Sequence, residues 1–537
     1  MLLSGAQIVI EELVAHGVDT VFGYPGGNVI DIYDELYKNR HRLTHILTAH
    51  EQGAAHAADA YARVSGKTSA ALATSGPGAT NLVTGVANAY LDSVPVVFLT
   101  GNVPISMMGR DSFQEIDILG VTLPIVKHSY VVKDVSSLQR TLKEAFLIAG
   151  AGRKGPVLVD IPKCVQLDTC EYDPALTVTH SGAGSCAIDS EAISALSAAI
   201  GAIEKSSRPF IYCGGGAASV GAGAEIMELA TMINAPVGMS LMGIGAIPDS
   251  FEMNLGMCGM QGLYASAAAQ SEADLIIALG ARFSDRATCD TKEYAKNRTL
   301  IHIDIDAAEI GKNVKPDVSI CADLKQILPM LLARAPARPG GEWAARIRAL
   351  KNEGSVPTGD AFTPRNIIGR VNEFYSDDTI VATDVGQHQM WVAQYYRFEK
   401  PRKLVTSGGL GAMGFGLGAS IGASIAAGRE RVVLFTGDGS FGMNLTELAT
   451  AVTQKLPITI IVLNNGVLGM VRQIQAQLYD NRYSETTLER RTDFPALAKA
   501  FGAAGYSASS LSELDEALKS APCDGPCLID CKIGIDN

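Results

Sequence analysis

Short apolar runs alternate with helix-length segments along most of the chain, and this alternation restricts the fold more than any other feature. In the first 165 residues, 20–24, 69–74, 94–100 and 156–161 read as buried strands, and 28–38, 51–64 and 136–149 as helices. Continuous apolar strands separated by helices demand a parallel sheet covered on both faces. A second block places strands at 209–213, 235–239, 274–279 and 300–305, and a third at 379–383, 431–435, 457–463 and 526–531. Turn-rich stretches at 168–189, 336–341 and 352–360 separate the blocks. The expectation is an α/β protein of three doubly wound domains with mostly parallel sheets, at 1–165, 190–335 and 360–537.

Composition excludes several classes. Hydrophobic residues make up 47% and charged residues 19% of 537, which suits large buried cores and not a disordered chain. The net charge of −12, without a long basic run, argues against a nucleic-acid partner. Ten cysteines lie scattered without a C-x-x-C pair, so reduced thiols in a cytoplasmic protein are expected. The N-terminus lacks a basic region and places Glu11 and Glu12 where a signal peptide would stay apolar. Residues 405–428 carry no charge and are long enough to span a bilayer, but their glycines favour a strand, a turn and a buried helix, so no membrane span is expected. Gly414, Gly418 and Gly422, four residues apart, suit close approach of another backbone.

Chemistry concentrates in the third block. Gly437, Asp438, Gly439 and Ser440 follow one apolar strand, and Asn464, Asn465 and Gly466 end the next. In a parallel sheet, ligands bind beyond the carboxyl ends of the strands. Asp438 and Asn465 are hard oxygen ligands that, with a backbone carbonyl, phosphate oxygens and water, complete a Mg²⁺ shell. Read blandly, each motif is only a turn; together, at successive strand ends, they describe half of a diphosphate site. In the second block, Gly214, Gly215 and Gly216 after a strand form a weaker dinucleotide signal.

The GDG and NN pair resembles the signature of the thiamine-diphosphate enzymes. The segments GYPGG (23–27), AHEQGAAH (49–56), TSGPGATN (74–81), SFQEID (112–117), GPVLVDIPK (155–163), GARFSDR (280–286), HIDID (302–306) and TSGGLGAMGFGLG (406–418) are similar to acetolactate synthase catalytic subunits. The resemblance implies a carboligase that decarboxylates pyruvate and joins the two-carbon unit to a second 2-oxo acid. It implies thiamine diphosphate and Mg²⁺, a structural FAD, a homodimer or homotetramer with sites between subunits, and a possible regulatory small subunit. Glu51 would hydrogen-bond the cofactor pyrimidine and promote loss of its C2 proton. Without the motif, Glu51 is simply an acidic residue in a first helical turn.

Further roles follow from the same resemblance. Gln114 and Lys163 would act beside Glu51 in catalysis, with Phe113 and Ile474 joining them around the substrate. Thiamine diphosphate would meet Pro25, Asn81, Gly386, Gln387, His388, Gly411, Met413, Gly437, Asp438, Gly439, Ser440, Asn465, Val467, Leu468, Gly469 and Met470, and the metal would take Asp438, Asn465 and Val467. FAD would meet Arg153, Gly214, Gly215, Gly216, Leu255, Gly256, Met257, Gly280, Arg282, Asp285, Arg286, Asp304 and Asp323. Ile474 stands where the family usually has Trp, Cys258 where it has His, Ser284 where it has Asp, and Gly442 where Gln is common. The chain also stops near the point where family members continue into a covering tail. Admission of water there would favour a 2-oxo-acid decarboxylase or a diketone hydrolase. A cofactor-binding homologue without turnover is the third alternative.

Overall fold

The computed structural model describes residues 1–179, 188–338, 340–354 and 359–535. Parts of the turn-rich stretches at 168–189, 336–341 and 352–360, and the last two residues, therefore lie outside the described residues. The apolar runs become the inner strands of three six-stranded sheets. Their residues are almost wholly buried, as at Val96–Asn102 and Val432–Gly437. Every pairing with assigned register within these sheets is parallel. The protein thus has the expected α/β class.

Two compact units result. The first, from residues 1–183, 380–388 and 405–537, holds the N-terminal and C-terminal sheets. Across the N-terminal sheet the strands run Thr44–Leu47, Thr20–Tyr24, Ser69–Ala73, Val96–Asn102, Val157–Pro162 and His128–Val131. Across the C-terminal sheet they run Leu404–Val405, Ile380–Thr383, Val432–Gly437, Ile458–Asn464, Cys527–Lys532 and Ala504–Ala508. Both follow one order, second, first, third, fourth, sixth, fifth, and so place a topological switch between their first and third strands.

Two helices join these sheets within the first unit. Glu51–Ser65 carries Gly53 and Ala54, Ala55, Ala57, Ala58, Ala60 and Ala62, all buried. It lies against Phe415–Ala426, whose Gly418 and Gly422 sit over its backbone. A methyl group on Gly422 would stand 1.9 Å from the Ala57 carbonyl oxygen. The uncharged stretch 405–428 is apolar because it packs on this alanine-rich helix. No helix among the described residues is long and apolar enough to cross a membrane.

The second unit, residues 184–379 and 389–404, holds the central sheet. Its order is Asn254–Met257, Val237–Met239, Pro209–Cys213, Leu275–Leu279, Thr299–Asp304 and Val318–Cys321, the 3-2-1-4-5-6 arrangement of a dinucleotide-binding sheet.

Differences from the sequence reading are physical. The strands not anticipated in the three sheets are edge strands: 44–47, 128–131, 254–257, 318–321 and 504–508. An edge strand buries less of itself and has no need of a continuous apolar run; Thr44–Leu47 buries only Ile46. Thr169–Glu171, within the first turn-rich stretch, pairs antiparallel with Leu2–Ser4. Asp438 does not stand in a turn, because the strand runs to Gly437 and helix Asp438–Asn444 starts at once. Among the described residues, eight cysteines are free thiols.

Candidate functional site

At the switch point of the C-terminal sheet, three strand ends converge. Strand Ile380–Thr383 leads through Asp384 to Gly386 and helix Gln387–Tyr395; strand Val432–Gly437 leads to Asp438; and Ile458–Asn464 leads to Asn465. Gly437 lets the His388 ring approach, at 3.1 Å from where a methyl group would stand. Gly469 does the same for Gln387, whose Oε1 accepts from Asn465 Nδ2 at 3.4 Å. Ser440 Oγ donates to the Val385 carbonyl at 2.8 Å. Gly439 is roofed by Leu468, Leu488 and Met413. Gly411, at φ +68°, is exposed near Val385. Val467 is buried and its N–H donates to Asn465 Oδ1 at 3.2 Å, while Met470 lies half-buried in the next helix.

Asp438 is 7% exposed, and burial pushes its carboxyl up to about 6 despite nearby backbone N–H groups that favour its charged form. It makes no ion pair among the described residues. A buried carboxylate without a cation fits a metal site. No group of three or more His, Cys, Asp or Glu that could hold a metal occurs among the described residues. One carboxylate with Asn465 therefore fits a Mg²⁺ that arrives with phosphate oxygens. His388 is buried with Nε2 lacking a hydrogen bond, and burial lowers its pKa to about 3, so its ring is neutral. Ile474 lies on helix Gly469–Leu478, which follows the Asn465 strand end, and is 43% exposed.

The N-terminal sheet gathers a second group at its own switch point. Glu51 is 9% exposed and opens its helix; Asn81 Nδ2 donates to its Oε2 at 2.9 Å. Asn28 N–H donates to Thr74 Oγ1 at 3.3 Å and Asn28 Nδ2 to Ser75 Oγ at 2.6 Å, tying the turn after exposed Pro25 to the 74–78 turn. Gln114, at φ +59°, packs its backbone on Gly76. Phe113 projects outward, 85% exposed. Lys163 begins helix Lys163–Leu167 and donates from Nζ to the Gly27 carbonyl at 3.0 Å. No hydrogen bond joins Glu51 or Asn81 to the site residues of the C-terminal sheet among the described residues.

In the second unit, Gly214, Gly215 and Gly216 follow strand Pro209–Cys213, and Gly280 follows Leu275–Leu279. Much of their need for glycine is packing: a methyl group on Gly214 would meet the Gly280 oxygen at 2.0 Å, and Gly216 N–H donates to that oxygen at 3.1 Å. Leu255 and Met257 are buried around Gly256, which has φ +75°. Arg282 uses its carbonyl to accept from Asn313 at 2.8 Å. Asp285 and Arg286 are exposed, with Arg286 Nη1 3.4 Å from Met260 Sδ. Asp304 accepts from the Asp306 N–H, and Asp323 caps helix Leu324–Leu332. Cys258 contacts Ser266 Oγ at 2.9 Å, and burial pushes its thiol up to about 12. Ser284 is exposed. Arg153 belongs to the first unit, where Nε donates to Ser93 Oγ at 2.9 Å.

Three family models match in succession. Residues 3–121 match the thiamine pyrophosphate enzyme N-terminal TPP binding domain, 196–331 the central domain, and 384–531 the C-terminal TPP binding domain. The acetolactate synthase isozyme 3 large subunit of Escherichia coli (strain K12) is 40% identical, over 97% of this chain and 92% of that protein. The chain belongs to the thiamine pyrophosphate enzyme family. The acetolactate synthase large subunit of Porphyra purpurea is 43% identical over 99% of this chain and 92% of its own length. The isozyme 2 large subunit of E. coli is 42% identical, covering 99% and 96%.

Some residues of this thiamine pyrophosphate enzyme stand out only in three dimensions. Asp384 is buried beside the Asp438 strand, pushed up to about 6 by burial, and accepts from Gly416 N–H and Thr436 Oγ1 at 3.2 and 2.9 Å. Asp92 accepts from the N–H groups of Gly408 and Gly409 at 3.1 and 2.7 Å, anchoring the turn that leads to Met413. Glu447 accepts from the N–H groups of Ala49 and His50. A carboxylate on backbone N–H groups far away in sequence has no local signature.

Proposed function

We propose that this enzyme is an acetolactate synthase: it decarboxylates pyruvate and joins the two-carbon fragment to a second 2-oxo acid. Identity of 40–43% over nearly the whole length to proteins bearing that name carries the reading. Bound thiamine diphosphate supplies the electron sink that allows a 2-oxo acid to lose CO₂. Asp438, Asn465 and the Val467 carbonyl would hold Mg²⁺ against its diphosphate, with Gly386, Gln387, His388, Gly439, Ser440 and Gly469 around it. Glu51, buried and held by Asn81, is suited to keep a proton at the cofactor pyrimidine. Gln114 and Lys163 would orient the 2-oxo acid, and Phe113 and Ile474 would exclude water from it.

Glu51 and Asp438 occupy different sheets, and a second copy of the chain completing each site accounts for both. FAD is proposed for the central unit, whose strand order suits a dinucleotide. Since several relatives are named large subunits, a small regulatory partner is proposed as well. The test is product analysis with pyruvate as sole substrate. Acetolactate is the expected product; acetaldehyde would make the enzyme a decarboxylase, and absence of CO₂ release would make it a non-catalytic homologue.

A further inference from the structure

The two residues before helix Glu51–Ser65 turn their backbone donors to a carboxylate far off in sequence, while His50 Nδ1 caps the helix itself by accepting from the Gln52 N–H at 3.1 Å. The N–H of Ala49 donates to Glu447 Oε1 and Oε2 at 3.1 and 3.2 Å, and the N–H of His50 to Oε1 at 2.9 Å. Glu447 belongs to the C-terminal half of the chain, nearly 400 residues away in sequence, and is completely buried. Thr450 Oγ1 donates to its Oε2 at 2.8 Å, which orients the carboxylate. Gly53 leaves the space for it: a methyl group there would stand 2.0 Å from Glu447 Oε1. The carboxylate therefore grips the two residues immediately before Glu51, in a pocket that glycine keeps open.

We infer that Glu447 is a positioning residue for Glu51, fixing the start of its helix so that the Glu51 carboxylate stands where a bound thiamine diphosphate needs it. The inference rests on the reading of Glu51 as the group that activates the cofactor. Its physical basis is the sensitivity of proton transfer to placement: a displacement of about 1 Å costs on the order of 100-fold in rate. The carboxylate oxygen Oε1 accepts from both N–H groups; an amide oxygen in its place could accept from both as well, but without the negative charge that makes such hydrogen bonds roughly twice as strong, so the grip would loosen.

The test uses the full chain loaded with Mg²⁺ and thiamine diphosphate and follows C2 proton exchange in D₂O by NMR. Glu447→Gln should bind the cofactor with affinity close to wild type, because Asp438 and Asn465 are untouched, and slow exchange roughly 10- to 100-fold. Glu51→Gln should slow it further, and the double variant should be no slower than Glu51→Gln alone, since a residue acting through another adds nothing once that one is gone. Should Glu447→Gln fail to fold, Gly53→Ala displaces the carboxylate while keeping every charge and should slow exchange in the same way, with calorimetry reporting how much protein is folded. A wild-type exchange rate in folded Glu447→Gln or Gly53→Ala, or additive effects in the double variant, would overturn the inference while leaving Glu51 in its role. Wild-type exchange in Glu51→Gln would instead remove the reading beneath it.

Discussion

Asp438 and Ile474 show two opposite situations for a single side chain. Asp438 is buried with no counter-ion among the described residues, burial raises its pKa to about 6, and only the ionised form binds a cation. Mg²⁺ affinity should therefore hold steady above that pH and fall about tenfold for each unit below it, as titration calorimetry with thiamine diphosphate present would show. Asp438→Asn should bind the metal far more weakly and lose this pH dependence. Ile474 is 43% exposed and, on the proposal that it lines the acceptor pocket, offers a smaller surface than the Trp that the resemblance to acetolactate synthases implies there. One methylene in an apolar pocket is worth about 1 to 3 kcal/mol, or roughly 10- to 200-fold. In competition between pyruvate and 2-oxobutyrate as acceptors, the wild type should show little preference, and Ile474→Trp should shift selection toward 2-oxobutyrate.

Among the elements, the pair of helices Glu51–Ser65 and Phe415–Ala426 holds the first unit together. Small residues bring the backbones into contact, and a buried ionic cluster secures the helix beyond its middle. Arg63 donates to Asp59 and Asp92 at 2.5 and 2.9 Å, and to the Thr406 carbonyl at 3.0 Å. Gly422→Ala would place a methyl group 1.9 Å from a backbone oxygen that cannot rotate away. It should destabilise the protein by at least about 1 to 3 kcal/mol, read as a lower denaturant midpoint. Separation of the helices should also weaken the Glu447 grip, so C2 exchange should slow in the same variant. The four-residue glycine spacing was legible in the sequence as a close approach, but its partner was not. Nothing in a local pattern says which alanine-rich helix will lie opposite.

For the whole molecule, the central sheet adopts the 3-2-1-4-5-6 order, although the glycines that suggested a nucleotide there are partly committed to packing on Gly280. The proposed flavin should appear as visible absorbance in purified protein, and anaerobic pyruvate should not bleach it, since the proposed reaction has no net redox change. The sequence by itself determined the inner strands, the fold class and the GDG and NN strand ends, because continuous burial and glycine-bearing strand ends leave local marks. Tertiary structure decided the edge strands, most of which leave residues partly exposed and need no apolar run, and the partners of Asp92, Asp384 and Glu447. Those carboxylates answer backbone donors or hydroxyls supplied by distant segments, and only folding brings donor and acceptor to within 3 Å or so of each other.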